Sequence, residues 1–484
     1  MVPYLNKRKH IYRFGFLLFL LSLSSCQILH TPQKTQAVQL PISFSGSTDS
    51  TTIGSLSRQT LFTDQNLVRL IDTALAQNPD LRMAMQRIEV AQATYQISRG
   101  ALLPSVNAVA AAGVDRYGKY TMNGVGNYDT NLSENIAGQS RIPNPTPDYF
   151  LGLRSSWELD IWGKLRNRRR AAYTRLLASQ EGRNLIVTAL TGEVARLYYT
   201  LLALDAELEI IRENEALQRR AVELVNVQKA AGRVTELAVQ QFTAQLLNTR
   251  SLEGRVRQEI AEAENQLNAL LGRYPQPIVR GQSIEDQKIP ALVMAGLPAQ
   301  LVRRRPDIRQ AERELEAANI DIAVAQAEFL PSLTLTPYVG LNAFRLSSLL
   351  NPVSIAAGVV GGLAAPIFNR RLLKGNYAVS VARSREAYFA YQKTVLTGVS
   401  EVVSNLKGLD NYQNVADLQR QEVAVLRQAA TTSNELFVVG YATYLEVITA
   451  QRSVLDAELA LIETKRAQFL SLVGLYRALG GGWQ

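Results

Sequence analysis

The sequence predicts a mixed α/β membrane protein, a tandem-repeat chain with four antiparallel membrane β-strands and long coiled-coil α-helices. Three observations predict it. An export signal ends at the only cysteine, the two halves of the chain resemble each other, and each half combines alternating apolar segments with long proline-free stretches. With 484 residues, 47% of them hydrophobic, the chain is large enough for several cores and is not disordered by composition.

Residues 1–25 have the layout of a signal peptide. Basic residues come first, and Phe14–Leu21 is an apolar run too short to span a bilayer. Leu23-Ser24-Ser25 then precedes Cys26 and resembles the lipobox at which bacterial lipoproteins are cleaved and acylated. We therefore expect lipid attachment at Cys26, followed by an acylated N-terminal linker over residues 26–63. The alternative is a buried, inert cysteine.

The mature chain is predicted to be only mildly basic. Removing residues 1–25 deletes four positive and no acidic side chains, which lowers the formal net charge from +10 to +6. No later stretch approaches about 18 consecutive apolar residues without charge, so the sequence predicts no transmembrane helix. A chain that crosses a membrane without such a helix must use strands.

The two halves of the chain repeat each other at two successive offsets. Residues 78–82 match residues 305–309 at an offset of 227, and Gly232 matches Gly440 at an offset of 208. The change of offset places an insertion at 115–148 in the first half, where Gly, Asn, Tyr and Pro predict a surface loop. The predicted organisation is repeat 1 over 64–280, a linker over 281–297 and repeat 2 over 298–484.

Long helices are predicted where proline is absent, between Asp148 and Tyr274 and after Ile367. Apolar residues there recur at steps of four and three, which is typical of coiled coils. Gly232 and Gly440 interrupt the stretches and predict tight helix reversals. The predicted helices are 79–102, 163–231 and 235–271 in repeat 1, and 306–330, 370–438 and 443–479 in repeat 2. The seam includes Leu190, Val194, Leu197, Leu201, Leu204, Leu208 and Ile211.

One β-hairpin is predicted in each repeat, at about 104–162 and about 331–367. Alternation is clearest over 149–162, where apolar residues at odd positions face lipid and Arg154, Glu158 and Asp160 face water in a lumen. Four strands cannot close, and open edges in lipid leave backbone groups unpaired, so several copies must combine. The alternative is a soluble sheet with one wet face.

Several motifs resemble the lipoprotein branch of the outer-membrane efflux factors, the TolC, OprM and CusC group. They are Gly296-Leu297-Pro298, Arg303-Arg304-Arg305-Pro306-Asp307-Ile308-Arg309, Phe329-Leu330-Pro331-Ser332-Leu333 and the segment from Gly440 to Gln451. The resemblance implies a homotrimer with a twelve-stranded β-barrel continued by a periplasmic α-helical barrel. It also implies a periplasmic adaptor protein and an inner-membrane transporter of the resistance-nodulation-division type as partners, with the chain as a passive exit duct.

The resemblance also implies a gate at the periplasmic tip, built from Gly232, Gly440, Tyr441 and Glu446. Glu446 matches an acidic residue that rings the mouth in the family, whereas Ile448-Thr449-Ala450 departs from the family's Leu-Asp-Ala pattern. The alternative for Glu446 is a solvated helix-face residue. The predicted membrane-interface aromatics, where the strands meet the lipid headgroups, are Tyr149, Trp162 and Phe368.

Enzyme chemistry, cofactors and metal sites are not expected. The only histidines are His10 and His30, and with one cysteine they cannot assemble a His or Cys metal site. The basic runs 168–170 and 303–305 suggest nucleic acid or acidic lipid, but solvated helix ends are the preferred explanation and no nucleic-acid partner is expected.

Two alternative functions stay open at this point. One is the outer-membrane duct of a type I protein-secretion system, and the other is a non-conducting coiled-coil spacer. The cargo, whether antibiotic, solvent, dye or metal, cannot be read from the sequence, because a passive duct need not carry a selective pocket.

Overall fold

The computed structural model describes residues 39–44, 51–136, 138–289 and 294–483. Cys26 and the signal peptide therefore lie outside the described residues. The helices and strands, in chain order, are α1 (Arg58–Leu61), α2 (Gln65–Gln77), α3 (Pro79–Gly100), β1 (Ser105–Asp115), α4 (Met122–Leu132), β2 (Thr146–Leu159), α5 (Lys164–Ala230), α6 (Glu236–Leu270), α7 (Pro298–Arg304), α8 (Pro306–Ala327), β3 (Ser332–Ala343), α9 (Leu346–Leu349), β4 (Ile355–Ala364), α10 (Arg370–Val439) and α11 (Tyr444–Ala478).

The chain forms two compact units. One comprises Gln92–Arg175 and Leu315–Tyr388 and contains the four strands of the described residues. The other comprises Ala37–Ala91, Leu176–Glu314 and Phe389–Gln484, and is built from helices.

The four strands form one antiparallel sheet in the order β1-β2-β3-β4. Two of its pairings are the predicted hairpins, one from each repeat. The third joins the repeats, because β2 pairs with β3 through partners such as Leu153 and Val339. β1 and β4 are the edges, and each has one neighbouring strand within the chain.

The long helices begin and end within a few residues of the predicted bounds, and six of the seven seam residues are buried, with Leu208 partly buried. Val194 and Leu201 are fully buried in the core of the helical unit, where Leu455 and Ile462 from α11 join them. One 18-residue window of α5 is apolar enough to cross a membrane, but 67% of it is buried within the protein. This helix therefore has the burial of a core helix.

Three helices of more than one turn were not predicted. α2 is amphipathic, begins at the cap Asp64 and buries Leu67 and Ile71, a pattern that the sequence displays at helical spacing. α4 lies within the predicted insertion loop. α7 begins at Pro298, the first-turn position that suits proline.

The segments interpreted as linkers contribute to the core of the helical unit, contrary to the sequence interpretation. Phe62 and Ile284 are almost completely buried there. Tyr198 of α5 binds the start of the second segment and the residue that directly follows the first. Its hydroxyl accepts from the Gly281 N–H at 2.8 Å and donates to Asp64 Oδ2 at 2.6 Å. Burial of apolar side chains contributes a favourable free energy of about 25 cal/mol per Å² of area removed from water, which offsets the conformational entropy that these segments lose.

Candidate functional site

The strand register sorts the side chains of the sheet into two faces. Leu151 of β2 lies opposite Leu341 of β3, and Leu333 of β3 lies opposite Leu363 of β4. These residues belong to a face that is apolar across all four strands, as the alternation predicts. Many of its members are well exposed to solvent in the single chain: Val106, Val114, Leu151, Leu153, Val339, Ile355, Val359 and Leu363. Within the described residues, this broad apolar surface stays uncovered in the single chain.

The opposite face, called the polar face below, carries all the charged side chains of the four described strands. It includes the predicted lumen residues Arg154 and Glu158. Arg154 lies opposite Asn107 of β1 and Tyr338 of β3. Its guanidinium carbon lies 4.5 Å from the centre of the Phe150 ring. Glu158 forms an ion pair with Lys164 at the start of α5.

Asp160 was predicted on the strand, and that prediction is wrong because β2 ends at Leu159. Its carboxylate instead accepts from the backbone N–H groups of Leu165 and Arg166, at 2.9 and 2.8 Å, at the first turn of α5. Burial raises the pKa of Asp160, but these hydrogen bonds outweigh it and hold the pKa below its usual value. Anionic side chains stabilise helix N-termini in this way.

The predicted interface aromatics lie near the ends of strands. Tyr149 lies on β2 opposite Ala112 and Ala343, on the apolar side. Trp162 follows the end of β2, is half-exposed, and donates from its indole N–H to the Pro331 carbonyl at 2.7 Å. Phe368 follows the end of β4 and is 99% exposed. Their contact with a membrane interface stays a prediction.

The two helix reversals have the same backbone geometry. Gly232 and Gly440 adopt φ of 71° and 87°, the left-handed region that favours glycine. The residue after each glycine donates to a carbonyl five residues earlier, Arg233 to Gln228 at 2.9 Å and Tyr441 to Leu436 at 2.8 Å. These are the bonds of a Schellman helix ending.

The two reversals pack together in the helical unit around a small apolar core of their own. Phe242 and Phe437 contribute aromatic rings whose centres are 6.4 Å apart. Ala238, the counterpart of Glu446 in repeat 1, is fully buried in this core. Tyr441 is 85% exposed beside it.

Glu446 is a helix-capping residue. One carboxylate oxygen accepts from the Thr443 backbone N–H at 2.6 Å and from the Thr443 hydroxyl at 2.9 Å, which is the reciprocal half of a capping box. The backbone hydrogen bond, followed by the hydroxyl one, holds the pKa of Glu446 below its usual value. A purely solvated helix-face residue would make neither bond.

The run 303–305 is not a solvated helix end, because Arg305 is buried. Its guanidinium makes a bidentate contact with Asp307, at 3.0 and 2.6 Å, and donates to Glu401 at 2.7 Å and to the Ala478 carbonyl at 3.2 Å. Asn78 is the counterpart of Arg305 in repeat 1. Its side-chain amide donates to the carbonyl of Leu270, the counterpart of Ala478, at 2.9 Å.

Metal ligation finds no support in the part of the chain that the structure describes. No group of three or more His, Cys, Asp or Glu residues that could hold a metal ion occurs there.

Comparison with known proteins agrees with this geometry. The family model described as "Outer membrane efflux protein" matches residues 70–273 and 297–481, one segment in each repeat. The cation efflux system protein CusC of Escherichia coli O6:H1 is 30% identical over 473 residues, covering 96% of this chain and 97% of that protein. The toluene efflux pump outer membrane protein TtgI of Pseudomonas putida is 29% identical over 474 residues, covering 96% and 97%.

Solved structures give the same result. The open state of the Neisseria gonorrhoeae MtrE outer membrane channel superposes with a TM-score of 0.79 at 25% identity, covering 94% of this chain and 98% of MtrE. A strand-forming unit with one apolar face, the repeated helix reversals and a family match across both repeats lead to one conclusion. The chain belongs to the outer membrane efflux protein family and is an outer-membrane efflux protein.

Proposed function

We propose that three copies of this chain form a passive duct through the outer membrane, with a twelve-stranded β-barrel continued by a periplasmic α-helical barrel. The observation that carries the proposal is the four-stranded sheet with an apolar, exposed face and two edges, β1 and β4. In lipid, each unpaired edge group costs several kcal/mol, and pairing β1 of one copy with β4 of the next removes both edges.

The duct acts within a tripartite pump. A periplasmic adaptor protein and an inner-membrane transporter of the resistance-nodulation-division type supply the connection and the energy. The cargo is small molecules, drugs or other toxic compounds. Two relatives of nearly equal identity are named for cations and for toluene, so similarity at this level does not select the cargo.

Acylation at Cys26 anchors the mature N-terminus to the outer membrane. The sequence Leu23-Ser24-Ser25-Cys26 supports this attachment. Each buried methylene of an acyl chain contributes about 0.8 kcal/mol, and two or more chains are needed for stable attachment.

The periplasmic tip closes around the two reversals at Gly232 and Gly440, with Tyr441 exposed beside them and a ring of Glu446 carboxylates at the mouth. Like charges around an axis favour cation entry and repel one another. In planar bilayers under a salt gradient, Glu446→Gln should shift the reversal potential away from the cation equilibrium potential and ease closure of the tip. An unchanged reversal potential and conductance would leave Glu446 with its capping role alone.

The oligomeric duct is tested directly on the purified full chain. We expect light scattering in detergent to give a trimer, and planar bilayers to record discrete conductance steps. Folded protein that is strictly monomeric and never conducts would refute the duct.

A further inference from the structure

The polar face of the sheet carries one charge in its middle. Arg154 aligns with Asn107 on β1 and Tyr338 on β3, and Tyr338 aligns in turn with Gly358 on β4. Within the described strands, β3 and β4 contain no charged residue and β1 contains only its last residue, Asp115. The row of paired residues that runs across the sheet through Arg154 therefore carries a net positive charge.

The guanidinium of Arg154 lies over a rigid aromatic support. Phe150 is 4% exposed although it lies on a sheet face, because Gly152 and Gly340 leave room for its ring. A Cβ added at either glycine would approach the ring atom Cζ to 3.0 Å. Tyr338 packs edge-on against Phe150, with ring centres 6.2 Å apart. The 4.5 Å contact of Arg154 with this ring is a cation–π interaction, which limits where the charge can lie.

Neighbouring carboxylates do not cancel this charge. Asp148 lies six residues away on the same strand, about 20 Å at about 3.3 Å per residue, and accepts a hydrogen bond from Asn342 at 2.7 Å. Glu158 lies about 13 Å away by the same measure and forms an ion pair with Lys164. Both separations exceed the screening length of about 8 Å at physiological ionic strength.

We propose that Arg154 is the anion-selecting residue of the strand-lined part of the duct, attracting small inorganic anions and organic anions with a carboxylate. The inference rests on the proposed function, since only a closed barrel turns Arg154 into a ring of charges. With three such charges placed one screening length, about 8 Å, from the axis in water, the screened Coulomb attraction enriches a monovalent anion roughly three-fold. This ring acts on ions in the opposite sense to carboxylates at the tip.

The test is a reversal-potential measurement on the full-length protein in planar bilayers under a KCl gradient. We expect Arg154→Gln to move the reversal potential toward the potassium equilibrium potential, with the chloride-to-potassium permeability ratio falling roughly three-fold or more. Arg154→Lys keeps the charge and should stay close to wild type. Lys119→Gln is the matched control, because it removes the same charge from the connection between β1 and β2.

Three results would overturn the assignment. Conducting channels of Arg154→Gln with the wild-type reversal potential would show that Arg154 does not select ions. An equal shift in Lys119→Gln would assign the effect to net charge rather than to this position. A wild-type protein without any channel activity would refute the proposed function itself, and this inference with it.

Discussion

Replacing Arg305 with Gln should destabilise the helical unit strongly. Its side chain is 8% exposed, and those of its partners Asp307 and Glu401 are 21% and 29% exposed. Breaking a buried ion pair costs about 3–5 kcal/mol, because the remaining charges stay buried without a counterion. Both carboxylates keep some access to water, and Glu401 also keeps Arg477 at 3.5 Å, so we expect a loss of about 3 kcal/mol, the lower end of this range.

The loss of the Arg305 contacts can be measured by urea unfolding of the detergent-solubilised protein, followed by circular dichroism. Arg305→Lys keeps the charge but loses the bidentate contact with Asp307, so its midpoint should fall between those of wild type and Arg305→Gln. Arg303→Gln, an exposed residue of the same run, is the control and should unfold with wild type. If Arg305→Gln unfolds at the wild-type midpoint, as Arg303→Gln is expected to do, the stabilising role of the buried Arg305 is refuted.

Further predictions concern pH, acylation and a helix reversal. Burial, followed by the nearby Glu463 and Glu259, raises the pKa of Glu207 from 4.5 to about 7. The folded protein therefore binds this proton more tightly than the unfolded chain, and its stability falls as the pH rises from 4.5 to 7. Glu207→Gln should remove about 1–2 kcal/mol of that change, measured as urea midpoints at pH 5 and pH 8, and an unaltered pH dependence would argue against it. Cys26→Ala should abolish acyl labelling and processing at that site, and retained label would discard the lipobox. In Gly440→Ala the added methyl group has open space, but alanine is strained at a φ of 87°. The substitution should therefore lower the free energy of unfolding by about 1 kcal/mol and speed amide exchange around the reversal, and unchanged exchange would contradict the strain.

Features with a local physical cause were predictable from the sequence. In a strand with one face in lipid and one in water, apolar residues recur at every second position, as over 149–159. In a packed helix they recur at steps of three and four, as from Leu190 to Ile211. Both patterns agree with the register of the sheet and with the burial of the seam. Gly232 and Gly440 were informative because a left-handed helix ending favours glycine. The repeat added a second copy of each signal.

Which distant groups meet depends on the folded chain. The pairing of β2 with β3 joins residues 174 to 194 positions apart, from Leu159 with Leu333 to Tyr149 with Ala343, and no local pattern encodes that partner. Arg305 in a basic run reads like a solvated charge until Glu401 and the Ala478 carbonyl are brought to it. Phe62 likewise lies in a segment predicted to be a linker, yet it is buried. Local periodicity determines which element forms and which face is apolar, whereas burial and ion pairing depend on neighbours that only the folded chain supplies.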